Sequence, residues 1–178
     1  DNHYYHLVLW DKDELEIVGS YRFASAKMLH ETIGKNSLYS QSLFEYHDAF
    51  APYFDQGLEL GRSFVQPKYW GRRSLEYLWQ GIGAFLINNP QYRFLFGPVS
   101  LSDNLPVQAK EMLVFFYKHQ FATQDVLASS FNSYQFTDER QHQLHQLFNG
   151  SDYAENFKIL KRTLANMAVS VPTLFKQY

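Results

Sequence analysis

The run Glu59-Leu60-Gly61-Arg62-Ser63-Phe64-Val65-Gln66-Pro67-Lys68-Tyr69-Trp70-Gly71-Arg72-Arg73 holds the residue types best suited to chemistry, and it joins a strand to the start of an amphipathic helix. A helix start presents unpaired N–H groups and the positive end of the helix dipole, so Gly71, Arg72 and Arg73 beside it would favour a phosphate. The phosphodiester of a phosphopantetheine arm is such a group. Gly61 inside the strand permits a bulge, which would splay the ladder and free a backbone N–H to polarise a thioester carbonyl. Glu59 would act as general base, taking a proton directly or through water, or would order a cationic group. Its alternative is a strand carboxylate paired with Arg62. Three apart in a strand, those two point to opposite faces unless a bulge at Gly61 re-aims one. Arg22, set between apolar neighbours, would meet a carboxylate or form a surface ion pair. Arg72 and Arg73 would likewise contact phosphate or simply line a solvated helix start.

The elements that position these residues follow from patterning. His6–Trp10 is apolar, Asp11–Glu14 a polar turn, and Glu16–Phe23 resumes as a strand, which predicts a β-hairpin. Between Lys27 and Gln56 aromatic residues scatter without a clean period, so loops and short helical turns are expected. Leu58–Val65 reads as a strand stopped by the turn Gln66–Arg73. Leu75, Leu78, Trp79, Ile82, Phe85 and Leu86 then fall on one helical face that ends at Asn88-Asn89-Pro90. Tyr92–Leu101 reads as a buried strand, and strand, helix, strand implies parallel neighbours. Pro106 opens a helix with Ala109, Met112, Leu113, Phe116 and Tyr117 on its apolar face. Two further helices are expected near Thr137–Phe148 and after a Ser151 cap.

Composition bounds what such a chain is. Its 178 residues suit one compact domain, and 46% hydrophobic with 18% aromatic residues exclude a disordered or fibrous chain. A net charge of −2 supplies no field for a polyanion, so nucleic acid is not an expected partner. There is no Cys, which removes thiolate nucleophiles and Cys-bound zinc and fits a reducing compartment. The cytoplasm, or its membrane face, is the expected location. The chain begins at Asp1 rather than Met, so a fragment of a longer chain is expected.

At Glu59–Arg73 the sequence resembles the GNAT acyltransferase superfamily, whose fourth strand, phosphate-binding turn and third helix have this order. Glu59–Val65, Tyr69 and Leu78-Trp79-Gln80-Gly81, with His6–Asp11 and Val18–Phe23 upstream, resemble the ornithine lipid synthase, or hemolysin-like, branch of N-acyltransferases. The Glu-x-x-Arg of Glu59 and Arg62, with Arg22, is similar to acyl-homoserine-lactone synthases, more distant relatives. The resemblance is clear over roughly residues 3 to 120. It implies an α/β (α+β) fold with a GNAT-like central mixed sheet flanked by helices, truncated at both ends. It also implies an acyltransferase that moves a long fatty acyl chain from acyl carrier protein to an amine such as an amino acid. The arm would lie in the splay and exchange backbone hydrogen bonds with Phe64 and Val65. No resident cofactor is expected; the acyl-carrier thioester is the co-substrate.

Only Gly71 survives of the superfamily's glycine-rich turn. Arg73 and Leu75 stand where coenzyme A's pyrophosphate needs close backbone approach, so acyl carrier protein is preferred to acyl-coenzyme A as donor. Ser100, Ser102 and Asn104 follow the second strand where the arm would hydrogen-bond, and Ser102 or Asn104 suits a helix cap equally. Tyr117 sits where some superfamily members place a general acid, although an aromatic at that spacing is usually core. The seven His show no metal logic, and no Gly-x-Ser-x-Gly, Walker or dinucleotide motif occurs. The many Phe and Tyr would line an acyl tunnel or fill a core, and exposed Tyr and Trp would touch a bilayer. Two other readings remain: a non-catalytic module binding acyl carrier protein or lipid, and an autoinducer-synthase-like enzyme using S-adenosylmethionine.

Overall fold

The computed structural model describes residues 2–177. They gather into two compact units, one running up to Pro98 with Val126–Asn132 added, the other made of Val99–Asp125 and the chain from Ser133 on.

The first unit is built on a mixed sheet of order β1-β2-β4-β5, with β1 at Tyr5–Asp11, β2 at Glu16–Ser25, β4 at Gly57–Val65 and β5 at Phe94–Phe96. The expected hairpin forms. Asp11 closes its turn, its Oδ1 accepting from the N–H groups of Asp13 and Glu14 at 3.0 and 3.1 Å. β2 and β4 pair antiparallel and β4 and β5 pair parallel, the parallel pair being joined by helix α3 (Ser74–Asn88) as the strand, helix, strand order predicts. Alternation sends Tyr21, Phe23, Leu58 and Leu60 to one face, where Leu78 and Ile82 of α3 are also fully buried or nearly so. Each such side chain contributes roughly 1.5–3 kcal/mol by burial. Phe23 and Phe85 meet edge-on at 4.8 Å, and a Cβ on Gly81 would lie 2.9 Å from Leu7, so the helix approaches the strand where it has no side chain.

On the other face, helix α1 (Ala26–Ile33) covers one end of the sheet, burying Ala26 and Leu29 against Ala24 and Leu38. Its segment reads in sequence as loops and short helical turns, and the structure makes the first of these a helix of eight residues. Eight residues make only two turns, a short run for a period to stand out among scattered aromatic residues, but the caps are present: Ser25 accepts from the Met28 N–H at 3.2 Å, and Gly34 takes φ +109°. A 3₁₀ turn at Tyr39–Ser42, the short strand β3 (Phe44–Tyr46) and helix α2 (Ala51–Asp55) follow, and β3 pairs antiparallel with β6 (Ala128–Ser130).

β5 is three residues long rather than the ten read from Tyr92–Leu101. Gly97, at φ +155°, and Pro98, which has no N–H to donate, end it. The second unit packs α4 (Val107–Phe121), α5 (Asp138–Leu147), α6 (Tyr153–Ala165) and α7 (Thr173–Gln177) around Leu113, Phe116, Leu144, Leu160 and Leu164, all fully buried. Asp152, not Ser151, caps α6, accepting from the Glu155 N–H at 2.9 Å, while Ser151 donates to the Glu155 carboxylate.

Candidate active site

β4 is paired on both edges at its start and on one edge beyond. Its register with β5 runs Gly57–Phe94, Leu58–Leu95, Glu59–Phe96 and stops there, while its register with β2 continues to Val65. The two parallel strands therefore part after Glu59. Gly97 marks the point: a Cβ there would sit 2.2 Å from the Leu60 carbonyl oxygen, so the chains touch backbone to backbone before diverging. Phe64 is opposite Ser20, and the Gln66 N–H bonds the Val18 carbonyl at 2.8 Å. Strand alternation then turns the N–H and C=O of Val65, between them, to the edge that β5 has left. The Trp70 indole N–H occupies that carbonyl at 2.8 Å.

The expected bulge exists, one residue along from where its glycine suggests. Arg22 faces Gly61 and Ser20 faces Phe64, so Arg62 and Ser63 together oppose Tyr21. Arg62 carries the left-handed conformation at φ +50°. A non-glycine residue held there costs on the order of 1–2 kcal/mol and is a mark of constraint. Gly61 has no such φ, and a Cβ on it would meet nothing within 4 Å; the absent side chain leaves open space above the sheet.

Glu59 and Arg62 converge without pairing with each other. Glu59 is 3% exposed; its Oε1 accepts from the Ser40 N–H at 2.7 Å and its Oε2 from the Tyr39 N–H at 3.2 Å, so it caps the Tyr39–Ser42 turn. Ser40 in turn accepts from the Tyr46 hydroxyl at 2.8 Å. The Arg62 guanidinium lies 5.3 Å over the Tyr39 ring, and that of Arg22 lies 4.1 Å over Tyr4. Burial, with the Glu59 charge behind it, raises the Tyr4 phenol above its ordinary value despite Arg22. Tyr39, Ser40, Tyr4 and Tyr46 are absent from the sequence reading; Gln41, whose side chain accepts from the Leu38 N–H at 3.0 Å, was the available sign of a turn there. His6, Ser20, Arg22, Arg62, Ser63 and Phe64 line an open cleft of about 710 Å³ on this face.

The turn before α3 differs more from expectation. Gly71 takes φ +76°, and the helix start has no side-chain cap. Arg73 is engaged: its Nε donates to Glu76 Oε2 at 2.7 Å and a second nitrogen to Oε1, which holds the Glu76 carboxyl below its ordinary range. Arg72 is exposed, its guanidinium 5.4 Å over the ring of Tyr69. Tyr69 pins this turn to the hairpin, with its hydroxyl 2.8 Å from both Asp11 Oδ2 and Glu16 Oε1. Lys68 pairs with Glu16, and that hydrogen bond, with the one from Tyr69, keeps the Glu16 carboxyl low. Ser100 and Tyr117 belong to the second unit. The Tyr117 hydroxyl is buried with no hydrogen-bond partner, and burial pushes it up to about 12.

Among the described residues no group of three or more His, Asp or Glu could hold a metal, and no helix is long and apolar enough to cross a membrane. Residues 1–80 match the acetyltransferase (GNAT) domain family. The whole chain is 27% identical to a glycine N(alpha)-acyltransferase of Phocaeicola vulgatus, covering 57% of that protein. It is also 27% identical, over 98% of its length, to one of Bacteroides thetaiotaomicron, covering 54% of it. An L-ornithine N(alpha)-acyltransferase of Agrobacterium fabrum is 36% identical over 47% of this chain and 30% of its own. The chain thus spans little more than half the length of the curated relatives it matches most fully. No solved structure matches. The mixed sheet flanked by helices is consistent with these matches: residues 1–80 are similar to the acetyltransferase (GNAT) domain, and the chain is similar to N(alpha)-acyltransferases.

Proposed function

We propose that this chain is part of an N-acyltransferase that moves a long acyl chain from the phosphopantetheine thioester of acyl carrier protein to the amino group of an amino acid, as in ornithine-lipid-type synthesis. The observation that carries this reading is the parting of β4 from β5 after Glu59, with the Val65 N–H turned into the gap. An extended, amide-bearing arm can add to such an edge as a strand would. The relatives' names, glycine and ornithine N(alpha)-acyltransferase, support amine acylation.

In the reaction the acceptor nitrogen attacks the thioester carbonyl carbon. The tetrahedral intermediate expels sulfur, the amine proton passes to a base, and the thiolate takes up a proton. Gly61 and the bulge after it would supply backbone donors for the oxyanion. Glu59 would receive the amine proton through water or order the ammonium group, using lone pairs not directed at Tyr39 and Ser40. Arg22 would hold the acceptor's carboxylate. At the donor turn Arg72 and Gly71 would meet the phosphodiester, with Arg73 fixing Glu76. Exposed Trp10 and Trp70 would suit contact with the inner face of a membrane.

The test is mass spectrometry after incubating the chain with palmitoyl-acyl carrier protein, or palmitoyl-coenzyme A, and a panel of amino acids. N-palmitoyl amino acid formed from the carrier-protein thioester is the expected result. Efficient transfer from coenzyme A would overturn the donor assignment, and no product from either donor would overturn the activity.

A further inference from the structure

The edge of β4 that β5 leaves open is not bare. After Gln66, whose N–H bonds the Val18 carbonyl at 2.8 Å, the chain makes a 3₁₀ turn at Pro67–Tyr69 and returns beside the strand it has just left. Two contacts fix that return. The Trp70 backbone N–H donates to the Pro67 carbonyl at 3.1 Å, and the hydroxyl of Tyr69, a residue 5% exposed, lies 2.8 Å from both Asp11 Oδ2 and Glu16 Oε1. The side chain of Trp70 is thereby laid on the Val65 carbonyl, its indole N–H donating at 2.8 Å. Burial adds little to that hold, because the residue is 70% exposed. An indole has one N–H and no acceptor, so this hydrogen bond is its whole polar capacity. Next to it Gly71 takes φ +76°, and a Cβ there would meet nothing within 4 Å. A pinned backbone thus carries a ring that lies on the open edge by one neutral hydrogen bond, with free space beside it.

We propose that Trp70 sets donor specificity: its indole closes the carbonyl side of the gap and yields it only to an arm that brings an amide N–H of its own. The proposal rests on the extended arm of the preceding reading and deepens it. Strand-like addition uses both backbone groups of Val65, the N–H giving to a carbonyl of the arm and the C=O receiving from an N–H of the arm. The second of these is already in use. An amide-bearing arm replaces the indole's hydrogen bond with one of the same kind, and the released indole donates to water, so the exchange is near balance and the arm's other contacts decide it. A donor chain without an N–H either leaves the ring in its path or displaces it and covers a carbonyl that then has no donor, which costs binding. Trp70 therefore discriminates by the chemistry of the arm and not by the acyl group it carries. Coenzyme A has the same arm, so this selection is separate from the choice between coenzyme A and carrier protein.

Calorimetric titration with S-acetylpantetheine, and with its analogue methylated at both amide nitrogens, tests this apart from acyl transfer. Trp70→Phe keeps an aromatic ring and removes the N–H. The variant should bind S-acetylpantetheine about two- to tenfold more tightly than wild type, the worth of one neutral hydrogen bond no longer in competition. It should bind the methylated analogue no better than wild type does. In isotope-labelled wild type, the indole N–H resonance that is missing from the variant should shift on saturation with S-acetylpantetheine and hold its position with the analogue. Unchanged or weaker binding of S-acetylpantetheine by Trp70→Phe, an equal gain for both probes, or an unmoved resonance would overturn the proposal, as would a wild type and variant that both fail to bind S-acetylpantetheine. Any of these with acyl transfer intact removes the role of Trp70 and leaves the acyltransferase reading standing. The expected binding pattern without transfer from any thioester would support the role of Trp70 and sink that reading.

Discussion

Replacing Glu59 with glutamine keeps the side chain's size and exchanges one carboxylate oxygen for an NH₂ group. Both oxygens are in use, Oε1 by the Ser40 N–H at 2.7 Å and Oε2 by the Tyr39 N–H at 3.2 Å, in a site 3% exposed. Whichever way the amide turns, one backbone N–H then faces another donor. The loss is one charge-assisted hydrogen bond, about 1.5–3 kcal/mol, and the buried N–H left without an acceptor adds to it. We expect Glu59→Gln to destabilise the first unit by roughly 2–4 kcal/mol, and the Tyr39–Ser42 turn to loosen first. Urea unfolding measures the total, and amide hydrogen exchange at Tyr39 and Ser40 locates it. If Glu59 also serves in catalysis, turnover falls by roughly two to four orders of magnitude, more than the unfolded fraction accounts for under conditions where the variant is folded. Stability within about 0.5 kcal/mol of wild type, with unchanged exchange at those amides, would refute the capping argument. Unchanged turnover would remove Glu59 from the chemistry.

The capping contacts of Glu59 show which parts of the site are legible in sequence. The hairpin, β4 and α3 are local patterns: alternation in Glu16–Phe23 and Leu58–Val65 and helical spacing from Leu75 to Leu86 suffice to find them. The parallel pairing of β4 with β5 follows from the helix between them. The partners of Glu59 are 19 and 20 residues away in a segment without periodicity, so no spacing rule points to them, and Arg62 looked like the natural counter-charge. The bulge was anticipated because glycine permits one. That Arg62 bears the left-handed conformation depends on where the bulge falls against Tyr21 and on the Tyr39 ring beneath the guanidinium, both set by tertiary packing. β5 reads too long in sequence for the opposite reason: the apolar run continues through Gly97-Pro98, whose backbone conformation and missing N–H end the strand without interrupting the hydrophobicity.

Three further perturbations separate structural from functional roles. Arg72→Glu should weaken binding of acyl carrier protein, with wild-type affinity falling as salt rises from about 0.05 to 0.5 M, whereas Arg73→Glu should chiefly place a like charge against Glu76; surface plasmon resonance showing equal effects of the two would refute the division. In the second unit burial works against the Glu111 charge, but the Tyr134 hydroxyl and the Arg140 Nε at 2.7 Å hold the carboxyl below its ordinary 4.5. Its contribution is therefore complete above that value and lost as pH falls through the lower folded value, so Glu111→Gln should flatten the acid limb of the stability curve in urea melts by about 1–2 kcal/mol. Tyr117→Phe removes a buried hydroxyl that has no partner, so unfolding should become harder by a few tenths to about 1 kcal/mol. The same burial pushes that phenol up to about 12, well above the ~8.5 of a thiol. A proton donor so reluctant is poorly matched to a departing thiolate, because general acid catalysis is most efficient when the acid's pKa lies near the working pH. Transfer should accordingly be unchanged in the variant. A loss of transfer beyond about 100-fold in a protein as stable as wild type would refute this and assign Tyr117 the proton that the leaving sulfur receives.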